Sequence, residues 1–447
     1  MDKEAGERDG EGRGLTTALW LVVAVGLAAG IGWVWPSVSL WGAWLGLVAE
    51  AVYHGPGPLW MDYAPWIIGM AFLLPAVWER RFWQAVRAQD RALWGFFAAW
   101  GVWVLLTSHF SPISHGVAFD LGSFGAALVN LVGLPLVVAL RQEWRTVFRL
   151  MVVVALGFGW YALAALWFAH RGMAVPLGHH VVEALAGPFN KNTLGILIWY
   201  GLAAAVFLAL VEAGPERWLW AGFALVLAGL ELGTVARSSW VAAAVAVWLL
   251  VWLLRPRWGR IVTAAGLVAV AAVAAAAHRL VHELVARGLS GRPVLWAAAV
   301  RFVNHGHWIF GAGYGNGTAA IAALLPPAFR GLSPTSTYLT LLVELGLPGL
   351  LLVGGLFGWA LVRLVRPRAT GLGDPFRQGV LALLVAALVQ GLAETFYLGG
   401  VTFVHAYLAV LLGFALVRVS GRAAGAAVTP EPAHSADASR PAPSVRQ

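Results

Sequence analysis

Arginines set among hydroxyls are the first chemistry this chain offers. In TVARSSW (234–240), Arg237 lies in a tight turn between two apolar runs, with Thr234, Ser238 and Ser239 beside it. The guanidinium fork is the preferred partner of phosphate oxygens. At a membrane edge the same side chain also snorkels to lipid headgroups, and the residues leave both readings open. A second arginine, Arg292, stands near the start of SGRPVLWAAAVRFVNHGHW (290–308), which reads as an amphipathic helix beginning near Ser290 with Pro293 in its first turn. Arg301 follows nine positions later. That is about 180° round a continuous helix, so only one of the two faces a given site. Arg292 is the candidate, because backbone N–H groups at a helix start also favour anions. Arg301 shares its face with His305.

Other polar residues sit where apolar runs begin. GPFNKNTLGIL (187–197) places Asn190, Lys191 and Asn192 at the entrance to a span. Asn192 serves there either as a helix cap or as an amide ligand for a sugar or phosphate. SPTSTYLTLLVELGLPG (333–349) runs Thr335, Ser336 and Tyr338 into an apolar helix that carries Glu344. Glu344, and Glu394 in a later run, lie where ionisable groups are costly and serve function or pair with a partner. Glu231 is close enough in sequence to neutralise Arg237. GAGYGNG (311–317) follows no strand, so a dinucleotide fold is excluded; it reads equally as a flexible turn and as a backbone nest for phosphate. The histidines, His170, His179, His180 and His307 among them, lack metal-ligand spacing. No metal and no cofactor is expected.

The elements that hold these residues are membrane helices. Of 447 residues, 60% are hydrophobic and 11% charged, where soluble domains carry about a quarter charged. Cysteine is absent, which excludes disulfides and thiolate chemistry. Apolar runs fall at about 15–35, 59–78, 92–107, 118–140, 150–168, 192–212, 217–235, 239–255, 260–279, 337–362, 378–396 and 399–418, most of them near span length. The expected fold is all-α: a polytopic integral membrane protein of about 12 transmembrane helices. Arginine-rich loops around 80–91, 141–149, 255–260 and 363–377 all become cytoplasmic if the apolar stretch 37–53 does not cross. The expected division is a cytoplasmic tail (1–14), spans over 15–279, a large extracytoplasmic loop containing helices (280–336), further spans over 337–418, and a disordered cytoplasmic tail (419–447). Basic residues are disfavoured outside, yet this topology puts Arg171, Lys191, Arg237, Arg292, Arg301 and Arg330 there. An anionic ligand at the outer surface accounts for them.

Taken in order, these segments resemble the O-antigen ligase and O-antigen polymerase superfamily of bacterial envelope glycan assembly, over about 187–350. Gly187, Phe189 and Asn192 match its first segment, Thr234, Arg237 and Ser238 its arginine turn, and Gly291, Arg292 and Trp296 its G-R-x-x-x-W helix start. Residues 311–315 match its glycine turn, and Tyr338, Leu339, Glu344 and Gly346 its last segment. Where the family has His-Asn, this chain has Thr335-Ser336. The resemblance implies a metal-independent glycosyltransferase of the bacterial cytoplasmic membrane with its site facing outside. It would transfer or polymerise a glycan from a polyprenyl-pyrophosphate donor onto an acceptor hydroxyl of another glycan or lipid. Arg237, Arg292, Glu344 and Thr335 are then the catalytic candidates, and Asn192, Lys191, Arg301, His305, Ser336 and Tyr338 the substrate contacts. Neither Thr nor Ser titrates near neutral pH. The histidine's task therefore falls to Glu344, His305 or His307, or to leaving-group stabilisation alone; otherwise the acceptor differs or activity is lost. Transport of a lipid-linked glycan and a non-catalytic role are the alternatives.

Overall fold

The computed structural model describes residues 23–29, 31, 42–43, 64–111, 117–171, 191–264, 291–366, 373–396, 398 and 403–418. The runs 15–35 and 260–279 fall largely outside these residues, as do both tails, nearly all of 37–53, and Asn190, His179 and His180.

Every regular element among the described residues is helical. In chain order these are α1 (Ala64–Ala71), α2 (Leu74–Trp78), α3 (Arg80–Arg87), α4 (Arg91–Phe110), α5 (Val117–Leu128), α6 (Leu134–Arg141), α7 (Trp144–His170), α8 (Lys191–Val211), α9 (Glu216–Thr234), α10 (Arg237–Leu254), α11 (Arg292–Phe302), α12 (Gly317–Ala322), α13 (Thr337–Val365), α14 (Asp374–Gln390) and α15 (Phe403–Leu416). Among the described residues, six helices are long and apolar enough to cross a membrane: α4, the joined α5–α6, α7, α8, α10 and α13. Helix α8 is apolar around its whole circumference, the pattern of a helix enclosed by protein. Every residue from Leu194 to Ala205 is buried, against α7, α9 and α10. In α5–α6, Pro135 has no N–H to offer the carbonyl of Leu131, and the rod relaxes into a π turn over Val129–Gly133.

The two ends of the bundle differ in charge. At one end, arginines close helix C-termini, whose last carbonyls lack partners within the helix. Arg255 Nη2 donates to Leu210 O at 3.1 Å, Arg363 Nη1 to Leu416 O at 2.5 Å, and Arg377 Nη1 to Leu364 O. Arg145 and Arg149 each reach Glu212 at 3.5 Å, and Arg418 reaches Asp90 at 3.1 Å. These contacts gather all four arginine-rich loops at that end. The opposite end holds the starts of α8, α10, α11 and α13 and the end of α14.

Helix α13 is broken near that second end. Gly346 adopts φ 67°, ψ −173°, a region essentially restricted to glycine, and a Cβ there would lie 1.9 Å from Ile309 O. Pro348 has no N–H for Glu344 O. The carbonyls freed by the break find donors elsewhere: Val343 O accepts Ala312 N at 2.8 Å, Glu344 O accepts Gly313 N at 2.9 Å, and Leu345 O accepts Trp103 Nε1 at 2.8 Å. Leu347 N donates to Trp308 O at 2.7 Å. Segment 308–313 is thereby laced into the break, which satisfies groups that would otherwise be orphaned in an apolar setting.

Candidate functional site

Glu394 organises the polar end. It lies in the turn after α14, and its Oε1 accepts Arg292 Nη2 at 2.6 Å and Ser238 Oγ at 2.9 Å. One carboxylate oxygen thus joins the first residues of α10 and α11 to the end of α14. The start of α13 is stitched to the same turn. Thr337 N donates to Gly391 O at 2.8 Å and to Glu394 O at 2.9 Å, Thr337 Oγ1 donates to Glu394 O at 2.8 Å, and Phe396 N donates to Thr337 Oγ1 at 2.9 Å. Beneath it, Gln390 Nε2 donates to Ser239 Oγ at 2.9 Å and its Oε1 accepts Trp199 Nε1 at 2.6 Å. This second layer fixes α14 against α8 and α10. The Arg292 and Glu394 side chains are 16% and 13% exposed, so the pair is largely dry yet reachable.

Arg237 is exposed at the first position of α10, one residue before Ser238. Lys191 is exposed and Asn192 half-buried at the start of α8. That start abuts α10, since a Cβ on Gly195 would lie 2.8 Å from Ser239 Oγ. Ser336 Oγ donates to Gly391 O at 3.4 Å, on the same turn as Glu394. Thr335 is in the left-handed region at φ 51°, and its Oγ1 is buried without a hydrogen bond. Val235, in the arginine turn, is also left-handed at φ 56°. β-Branched residues rarely adopt this conformation, and here two of them flank one polar cluster.

Other candidates have different tasks. Glu344 is fully buried; its Oε2 accepts Gly315 N at 3.0 Å and its Oε1 accepts Gly317 N at 2.9 Å. The backbone nest of 311–317 is therefore filled by the protein's own carboxylate rather than left open for phosphate. Glycine is needed at 317, where a Cβ would approach Glu344 Oε1 to 2.7 Å. Arg301 lies about 14 Å along α11 from Arg292, on the opposite side, and lines a separate groove with Pro293, Ala323 and Pro326. His305 Nδ1 is 2.6 Å from Arg301 O, and the His307 ring stacks on Phe302 at 4.2 Å. Tyr338 Oη donates to Leu388 O at 2.8 Å, tying α13 to α14. Glu231 does not hydrogen-bond Arg237: its carboxylate is 3% exposed and accepts no hydrogen bond. Among the described residues no group of three His, Cys, Asp or Glu side chains is placed to hold a metal.

The central role of Glu394 escaped the sequence reading, as did the layer of Gln390, Ser239 and Trp199. The available signal was a lone carboxylate at the end of an apolar run. Among the described residues the fold and site define an all-helical protein with six helices long and apolar enough to cross a membrane and an arginine–carboxylate cluster at one end of the bundle. No family model and no curated protein matches the chain. It is similar to a chain from a structure describing the structural coordination of polymerization and crosslinking by a peptidoglycan synthase complex. The identity is 18% and the TM-score 0.37, with 74% of this chain and 96% of the other covered. A likeness at that level is too distant to assign a function.

Proposed function

We propose that the chain is a glycosyltransferase of bacterial envelope glycan assembly, resembling O-antigen ligases and polymerases, acting at the outer face of the cytoplasmic membrane. The observation that carries this reading is the cluster of Arg292, Glu394 and Ser238 beside Arg237, at the end of the bundle away from the arginine-rich loops. By the positive-inside rule those loops mark the cytoplasmic side. The donor is a glycan on polyprenyl pyrophosphate. Arg237 and Arg292 meet the charge that grows on the diphosphate as the bond from its oxygen to the anomeric carbon breaks. An acceptor hydroxyl oxygen forms the new bond to that carbon, and its proton passes to Glu394. Glu394 takes the place among base candidates that Glu344 cannot fill while its oxygens hold the glycine loop. Lys191 and Asn192 line the same rim as sugar and phosphate contacts, while the buried Ser336 braces the turn that carries Glu394 and the buried Thr335 hydroxyl is closed to a ligand.

Lipid-linked glycan transport finds less support. Among the described residues, the break in α13 at Gly346 is filled by segment 308–317 instead of lining a cavity at mid-membrane. The test is incubation of purified protein with lipid-linked glycan, following release of polyprenyl pyrophosphate. Arg237→Ala and Arg292→Ala should each lower the rate about 100-fold or more, as loss of one preorganised donor does elsewhere. Near-normal release by both variants dismisses the proposal.

A further inference from the structure

The basic end of the bundle contains an apolar cavity that the proposed chemistry does not use. Its volume is about 590 Å³, within the range of pockets that bury a small ligand. Val129, Val132 and Gly133 of the π turn form one wall, and Phe82, Trp83 and Val86 of α3 another. Those three α3 residues occupy one face of the helix. Arg80 and Arg87, seven positions apart, fall within about 20° of each other beside Trp83. Both are exposed. The nearby carboxylates are engaged elsewhere: Glu79 pairs with Arg81, and Asp90 with Arg418. Among the described residues neither Arg80 nor Arg87 has an acidic partner. Trp78 and Trp83 are 79% and 49% exposed, as indoles at a membrane–water boundary are.

We infer that this cavity and the Arg80–Arg87 edge bind one anionic phospholipid, with an acyl chain against the π turn and the phosphate between the two guanidiniums. Apolar lining alone would accept any lipid. The unneutralised arginines at its rim select an anionic one, since each basic residue near a membrane surface adds attraction for anionic headgroups. The site is independent of the glycan-transfer reading.

The test is native mass spectrometry of protein equilibrated in mild detergent with equal phosphatidylglycerol and phosphatidylcholine of matched chains. One retained phosphatidylglycerol, in clear preference to phosphatidylcholine, is expected. Arg80→Gln/Arg87→Gln should reduce that preference about thirtyfold. Leu74→Trp, a bulkier side chain at a partly exposed cavity wall, should reduce retention of both lipids. Equal retention by the native chain, or an unchanged preference in the double arginine variant, overturns the inference. Undiminished retention in a folded Leu74→Trp protein overturns it too, by showing that the cavity takes no chain.

Discussion

Thr335 carries two separable penalties. Its backbone is left-handed at φ 51°, which for a residue with Cβ costs about 1–2 kcal/mol. Its Oγ1 is buried without a hydrogen bond, and an unsatisfied buried polar group costs about 1–3 kcal/mol. Thr335→Asn removes the β-branch in favour of a residue enriched in this conformation, as His is too. Thr335→Val keeps the branch and shape but deletes the hydroxyl. Thr335→Asn should therefore gain about 1 kcal/mol, and Thr335→Val should be neutral or gain slightly. In a chain this long that is a rise of about 1–2 °C in the unfolding midpoint, read by tryptophan fluorescence in detergent at several heating rates. Glycan transfer should change little in Thr335→Val, because the buried hydroxyl lies out of a substrate's reach. A lower midpoint for both variants would refute the reasoning and make Thr335 an ordinary packing residue.

Three further outcomes are expected. Glu394→Gln leaves Arg292 without a counter-charge in a largely dry site and should destabilise by about 2–3 kcal/mol; a double-mutant cycle with Arg292→Ala should show most of that as coupling. Glu344→Gln should free segment 311–317 and speed its proteolysis, while Gly346→Ala, whose Cβ would lie 1.9 Å from a carbonyl oxygen, should sharply reduce folded yield. Gln390→Leu strands Trp199 Nε1 and Ser239 Oγ at once, and should cost about 2–4 kcal/mol by thermal or denaturant unfolding.

Six of the twelve expected spans are legible as long apolar helices among the described residues, because span-length apolar runs bounded by charge leave few alternatives in lipid; the run 59–78 is instead divided between the short helices α1 and α2. Helical spacing also separated Arg292 from Arg301, and the structure places them on different sides of α11. What the sequence did not reveal was partnership. Glu344 and Glu394 look alike in the chain, each a carboxylate in an apolar run. One is consumed by backbone N–H groups 27 and 29 residues upstream; the other meets an arginine 102 residues away. That difference is set by where loops return, which no local pattern encodes. The break at Gly346 had a visible cause in GLPG, but its consequence, three carbonyls available to segment 308–313 and Trp103, emerges only from the tertiary arrangement.

The pairing of Arg292 with Glu394 also constrains how the site could work. A guanidinium has five N–H donors in a fixed fork, and Nη2 on Glu394 Oε1 leaves others to meet a phosphate without breaking the pair. In that case Glu394 orients the fork, and neutralising it should lower kcat with little change in KM. The alternative has diphosphate pulling Arg292 away, so that Glu394 competes with the ligand. Neutralising it would then tighten donor binding and lower KM. Ser238 argues for the first arrangement. Its hydroxyl holds the same Oε1 at 2.9 Å, so the carboxylate is fixed from α10 whether or not a ligand is present. A fixed carboxylate beside a fixed fork is preorganised for a charge that develops during reaction, and its second oxygen, bonded to no side chain among the described residues, is the one that would take the acceptor's proton.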